Sequence, residues 1–150
     1  MRVVIQRVSE AAVTINTQVK SIIGKGLLIL VGVEESDDDE DIVWLANKIS
    51  NLRIFSDAKG LMNLSLLEID GEILVISQFT LFASTKKGNR PSFLRSAKPD
   101  FAIPKYEKFV SQLLEITGKG VKTGEFGADM KVSLVNDGPV TIVIDSKNKE

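Results

Sequence analysis

Two short segments gather the residues of this sequence that could do chemistry: Ser77-Gln78-Phe79-Thr80-Leu81 and Asn136-Asp137-Gly138-Pro139-Val140-Thr141. The first places two hydroxyls and an amide at the end of an apolar run, Ile73-Leu74-Val75-Ile76, and a basic stretch follows it. The second is built from Asn, Asp, Gly and Pro, the residues of tight turns. What such segments can do is bounded by what the chain lacks. It contains no Cys, so disulfides and thiol nucleophiles are excluded, and no His, so the usual general base and the commonest metal ligand are excluded too. Any catalysis must come from hydroxyls, carboxylates, amides, backbone groups or the substrate itself. Among hydroxyls Thr80 is the obvious nucleophile, yet no acidic residue lies between Ile73 and Pro99 to act as a local base.

The elements that must position these residues are mostly strands. Runs rich in β-branched residues occur at Val3 to Val8, Val13 to Ile15, Ile22 to Val33, Leu52 to Phe55, Ile73 to Phe82, Lys131 to Val135 and Val140 to Ile144. Gly24 and Gly26 interrupt the third run and predict a bend or bulge. If the Ile73 run stays extended through Phe82, Ser77 and Phe79 share one face while Gln78 and Thr80 share the other. Ordinary roles also fit: Ser77 and Thr80 bonding to backbone, Phe79 in the core. Asn136 to Pro139 predicts a hairpin turn between the last two runs, with Pro139 opening a strand. Two stretches instead show helical spacing. Ile42, Leu45, Ala46, Ile49 and Leu52 form one, with Ser36 as its predicted cap. The acidic run Glu34 to Asp41 before it suits a helix N-terminus better than a metal site. Tyr106, Phe109, Val110, Leu113 and Leu114 form the other, with Pro104 in its first turn and Gly118 at its stop. Many strands with two helices predict an α+β fold: a strongly curved, barrel-like mixed β-sheet with two main helices packed on it.

A chain of 150 residues with 43% hydrophobic content has the size of one domain, 1–150, and buries roughly 70% of its unfolded surface without metals or disulfides. The start, Met1-Arg2-Val3-Val4-Ile5-Gln6-Arg7, lacks the apolar stretch of a signal peptide, and Leu27 to Val31 is too short to cross a bilayer, so a cytoplasmic, membrane-free location is expected. Net charge is only −1, but Lys86, Lys87, Arg90, Arg95 and Lys98 cluster in the stretch without acids. A solvated loop and a phosphate-contacting patch are both open readings of that cluster.

In this order and at this spacing, the two segments closely resemble the paired signature of the D-aminoacyl-tRNA deacylase family. The likeness extends along the chain through Met1 to Val8, Gly24-Lys25-Gly26-Leu27, Asn51 to Phe55, Met62 to Ser65, Arg90-Pro91-Ser92-Phe93 and Thr123 to Met130. The resemblance implies an intracellular homodimer with active sites at the subunit interface. It also implies hydrolysis of the ester joining a D-amino acid, or glycine, to the terminal adenosine of tRNA, with no metal or organic cofactor. It casts Ser77, Gln78, Phe79 and Thr80 as the strand that places ester, ribose and adenine. It further implies a cis Gly138-Pro139 turn reaching the partner's site to exclude L side chains. Arg7 then helps fix that turn, with an ordinary strand arginine as the alternative; Phe126 and Met130 line the same region, with core packing as theirs. The same resemblance implies that the ribose hydroxyl beside the ester assists the chemistry. The cation cluster itself, rather than the resemblance, predicts that Lys86, Lys87 and Arg90 contact RNA phosphates. Three rival readings stay open at this point: Thr80 as nucleophile, a non-catalytic nucleic-acid-binding dimer, and a purely structural β-rich dimer.

Overall fold

The apolar runs fold into eight strands and the two helical patterns into two helices, in a computed structural model that describes residues 1–150. In chain order these are β1 (Arg2–Ile15), β2 (Gln18–Ile23), β3 (Gly26–Gly32), α1 (Asp39–Asn51), β4 (Phe55–Ser56), β5 (Met62–Leu64), β6 (Glu72–Ser77), a 3₁₀ turn (Phe79–Phe82), α2 (Pro99–Thr117), β7 (Lys122–Thr123) and β8 (Lys131–Asp145). The fold is α+β. One mixed sheet runs β2-β1-β3-β6-β7, with β8 along the remaining side of β1, and β4 and β5 form a separate hairpin. β3, β6 and β7 are mutually parallel neighbours; every other pairing is antiparallel.

Alternation across the strands divides the core in two. Val3, Ile5, Leu27, Ile29, Val31, Ile73 and Val75 face the helices, where they meet Ile42, Leu45, Ile49 and Phe109. Leu28, Leu74 and Ile76 point the other way into a second cluster with Val8, Ala11, Val13 and Ile23. Burial on both faces explains why β3 and β6 read as unbroken apolar runs rather than alternating ones. β1 changes phase on the way: Val8 faces the second cluster, and so do Ala11 and Val13. An extra residue between Val8 and Glu10, which pair with the consecutive Asn136 and Val135, produces that switch and curls the sheet toward a barrel. At Gly26 a Cβ would stand 1.9 Å from the Glu72 carbonyl oxygen, so β3 can enter beside β6 only with glycine there.

Several expectations need correction. The two final runs are one continuous strand, β8, and Asn136 to Pro139 is no hairpin turn. Both halves pair with β1, whose 14 residues are long enough to partner them in succession. α1 is capped by Asp38, not Ser36; Asp38 accepts from the Asp41 amide at 3.1 Å and Asp41 from the Asp38 amide at 2.9 Å, the same box two residues later. α2 begins at Pro99, and Pro104 lies inside it on the exposed side, where water can take the carbonyl that its missing N–H leaves free. Leu114 is 44% exposed and does not belong to the buried face of α2. Gly118 ends that helix in the left-handed conformation, φ 65°.

Candidate active site

β6 is buried between two parallel neighbours and delivers its last residue, Ser77, opposite Val31. There the chain leaves the sheet. The Gln78 amide donates to the Val31 carbonyl at 2.7 Å, and Phe79–Phe82 then coils as a 3₁₀ turn, so the extended alternation expected through Phe82 ends at Ser77. Phe82, fully buried, drives the change: its ring packs 3.2 Å from the Cβ position of Gly32, while the Gln78 carbonyl lies 3.0 Å from that same point. The turn leaves the Phe79 and Thr80 N–H groups without partners in the chain. It also turns the Gln78 amide onto the Thr80 hydroxyl, which accepts its hydrogen bond. No carboxylate or amine bonds to Thr80.

A cavity of about 330 Å³ opens at this end of β6. Ser77, Gln78 and Phe79 form one wall, and Phe126 and Met130 form another. The second wall comes from the loop between β7 and β8, which closes over Gly124 because a Cβ there would sit 2.4 Å from the Met130 sulfur. The floor is Tyr106. Its hydroxyl donates to the Val75 carbonyl at 3.0 Å, its ring meets Phe126 edge-on at 6.0 Å, and burial pushes its phenol up to about 12, so it stays neutral. Phe79 remains 55% exposed at the mouth, edge-on to Phe93 at 5.2 Å, and the Ser96 hydroxyl fixes the Phe79 carbonyl at 2.7 Å. The Phe79 ring therefore stands at the mouth of the cavity and is not part of the core.

Gly138 and Pro139 do not line the cavity of their own chain. They form a bulge in β8: Gln6 pairs with Thr141 and Val8 with Asn136, leaving residues 137–140 opposite Arg7 alone. The Gly138-Pro139 peptide bond is cis, and Gly138 has φ 132°, a conformation costly for any residue with a Cβ. Arg7, 8% exposed, lies beneath the bulge and donates to the carbonyls of Asp137 at 2.8 Å and Ile54 at 2.6 Å. A Cβ at Gly138 would stand 2.7 Å from the Arg7 guanidinium and 2.9 Å from the Val140 side chain, which adds to the restriction that φ already places on this position.

The sequence profile described as D-Tyr-tRNA(Tyr) deacylase matches residues 4–145. The chain belongs to that deacylase family. Proteins named D-aminoacyl-tRNA deacylase from Bacteroides thetaiotaomicron and Bacteroides fragilis are 66% and 67% identical to it over 150 residues, covering all of both chains. Among solved structures, one titled c-Myc DNA Unwinding Element Binding Protein superposes with a TM-score of 0.91 at 38% identity, covering 97% of this chain and 98% of its own. A probable eukaryotic D-amino acid tRNA deacylase shares the fold, with a TM-score of 0.82 at 18% identity over 95% of this chain and 97% of its own. As a member of the family the chain is a hydrolase acting on D-aminoacyl-tRNA.

The deacylase's basic stretch is a loop pinched by a two-way backbone bridge between Ser84 and Ser92, at 2.7 and 2.9 Å. Lys86, Lys87 and Arg90 ride exposed at its tip and make no ion pair. Arg95 differs: it pairs with Glu34 at 3.2 Å and stacks on the Phe82 ring at 5.3 Å, so only part of the cluster is available to a ligand. Tyr106, Phe93 and Ser96 are cavity or mouth residues that sequence reasoning missed. Tyr106 is buried in the main core on the apolar face of α2, as the spacing predicts, and nothing local marks that this face also borders a cavity. No helix is long and apolar enough to cross a membrane.

Proposed function

We infer that this enzyme removes D-amino acids, and glycine, from tRNA as a cytoplasmic homodimer of single-domain chains in which each cavity is completed by the partner's Gly138-Pro139 turn. One observation carries the reading. Ser77, Gln78, Phe79, Phe126 and Met130 converge on one cavity, while Gly138 and Pro139, exposed on β8, stand apart from it in the same chain. A second copy supplies what the cavity lacks. The Gly138 and Pro139 carbonyls then face the α-carbon and amino group, and rigid backbone excludes an L side chain whatever its identity, whereas a D side chain or a hydrogen points elsewhere.

The unpartnered Phe79 and Thr80 N–H groups suit an ester oxygen that gains charge. Ser77 and Gln78 orient the ribose. Phe79 takes the terminal adenine, a stack worth roughly 1–3 kcal/mol. The Thr80 hydroxyl has no base beside it, which favours proton transfer or attack through the neighbouring ribose hydroxyl; such proximity supplies roughly 7–11 kcal/mol in favourable cases. Lys86, Lys87 and Arg90 meet the phosphates behind the terminal nucleotide. No metal or organic cofactor enters this scheme.

The test offers matched D-, L- and glycyl-tRNA to the pure protein. Release of the D-amino acid and glycine with the L ester spared is expected. Equal turnover of D and L esters overturns the role of the turn, and binding of tRNA without turnover favours a non-catalytic nucleic-acid-binding role.

A further inference from the structure

The bulge that carries Gly138 and Pro139 is held from two sides, and only one of them is the arginine. Neighbouring residues on a strand point to opposite faces. Arg7 therefore grips the bulge from the core side, and Gln6 is directed to the other face, where residues 136 and 141 flank the bulge. The Gln6 side-chain amide oxygen, Oε1, accepts from both of them: from the Thr141 hydroxyl at 2.8 Å and from the Asn136 side-chain amide. The ring closes on itself. The Asn136 amide also donates to the Thr141 oxygen at 3.1 Å, and its own carbonyl accepts from the Val140 N–H at 3.0 Å. β8 advances five residues here while β1 advances two, so the ordinary backbone ladder is interrupted across the bulge. Arg7 reaches the Asp137 carbonyl inside the bulge; the Gln6 ring ties Asn136 and Thr141, the two residues at its neck.

We propose that Gln6 is a positioning residue for substrate handedness: by holding Asn136 and Thr141 on one oxygen it sets the width of the bulge neck and hence where the Gly138 and Pro139 carbonyls stand. This rests on the reading of the turn given above. Gln6 touches no substrate in this scheme. Its effect is on the margin by which L esters are refused, because a turn that can drift by a fraction of an ångström no longer fills the space an L side chain needs.

The experiment compares kcat/KM for matched D- and L-aminoacyl-tRNA in Gln6→Met, Gln6→Glu, Thr141→Val and Gly138→Ala proteins. Gln6→Met removes the shared acceptor at similar size, and a narrowing of the D-to-L ratio by about tenfold is expected, on the scale of one or two lost hydrogen bonds. Gln6→Glu keeps an acceptor oxygen and restores the ratio. A merely structural role would lower both rates together and leave the ratio alone. Thr141 is exposed, so Thr141→Val carries the test if Gln6→Met does not fold; it breaks the same ring and should narrow the ratio in the same direction. A parental ratio in folded Gln6→Met, or in Thr141→Val where Gln6→Met does not fold, overturns the proposal when Gly138→Ala relaxes handedness. If Gly138→Ala also leaves the ratio unchanged, the reading of the turn itself has failed.

Discussion

The hydroxyl of Thr80 accepts a hydrogen bond from the Gln78 amide and meets no carboxylate, which leaves it poorly placed to lose a proton. A nucleophile needs the opposite arrangement, a base taking the hydroxyl proton. Thr80→Ala is therefore expected to keep activity on D-aminoacyl-tRNA within about tenfold of the parent, the scale of a lost hydrogen bond to a positioned group. A true nucleophile would cost several orders of magnitude. Single-turnover rates decide between them, provided circular dichroism shows the variant folded. The complementary substrate, a terminal adenosine lacking the neighbouring ribose hydroxyl, should react poorly with the unmodified protein. Near-complete loss in Thr80→Ala together with full activity on the deoxy substrate would reverse the assignment.

At the scale of elements, much of the frame was legible because apolar periodicity is a local property. The faces of α1 and β6 could be read from Ile42, Leu45, Ile49 and Ile73 to Ile76 without knowing their partners. What escaped depends on distant residues. The strand through Phe82 stops at Ser77 because Gly32, far away in sequence, leaves room for the Phe82 ring and the Gln78 carbonyl. Asn136 to Pro139 has every local mark of a hairpin, yet pairing with a long β1 makes it a bulge. The acidic run before α1 shows the same limit. Its helix-terminal role was readable, but Asp37, just before the cap, also binds the buried Met1 ammonium, and Asp41 in the first turn of α1 pairs with Lys147 at 2.6 Å. Burial pushes the Asp41 carboxyl up, and hydrogen bonds from Lys147, the Asp38 amide and Ser146 outweigh it to hold it at about 2. A carboxylate held below its ordinary value stabilises the fold where it is ionised, so this contribution is complete above about pH 4 and fades as pH falls toward 2. Asp41→Asn should cost on the order of 2 kcal/mol in urea unfolding at neutral pH, with the gap to the parent closing by pH 2. A gap that does not change with pH would mean the pair acts through packing instead. The basic loop makes a separate prediction. Replacing Lys86, Lys87 and Arg90 by Gln should lower the dependence of log Kd for tRNA on log salt by up to about two to three units, since each lost phosphate contact releases fewer counterions. An unchanged slope would assign the loop to solvent.

At the scale of the molecule, β8 presents an unpaired outer edge along its 15 residues, with Val135 48% and Val143 63% exposed beside the Gly138-Pro139 bulge. A long apolar edge of this kind is a liability in a lone chain and a natural surface for a second copy. If that copy's bulge completes the cavity, each active site contains Phe79 from one chain and Gly138 from the other. Defects in the two residues then separate cleanly. Gly138→Ala brings a Cβ against the Arg7 guanidinium and spoils the turn of its own chain, leaving that chain's cavity intact; Phe79→Ala does the reverse. In a dimer of one Gly138→Ala chain and one Phe79→Ala chain, one site receives both defects and the other none. Gly138→Ala chains hydrolyse L esters, and exchange after equal mixing gives half mixed dimers in which the loosened turn meets only the Phe79→Ala cavity, so the L-ester rate of the mixture falls to about half that of the unexchanged proteins. Were each site built within a single chain, every site in the mixture would still carry one defect, and L-ester hydrolysis would stay at the level of the unexchanged proteins. Mass spectrometry of the intact assembly, run on the same sample, establishes that mixed dimers are present, so an unchanged L-ester rate in a mixture containing them rules out sharing across the interface.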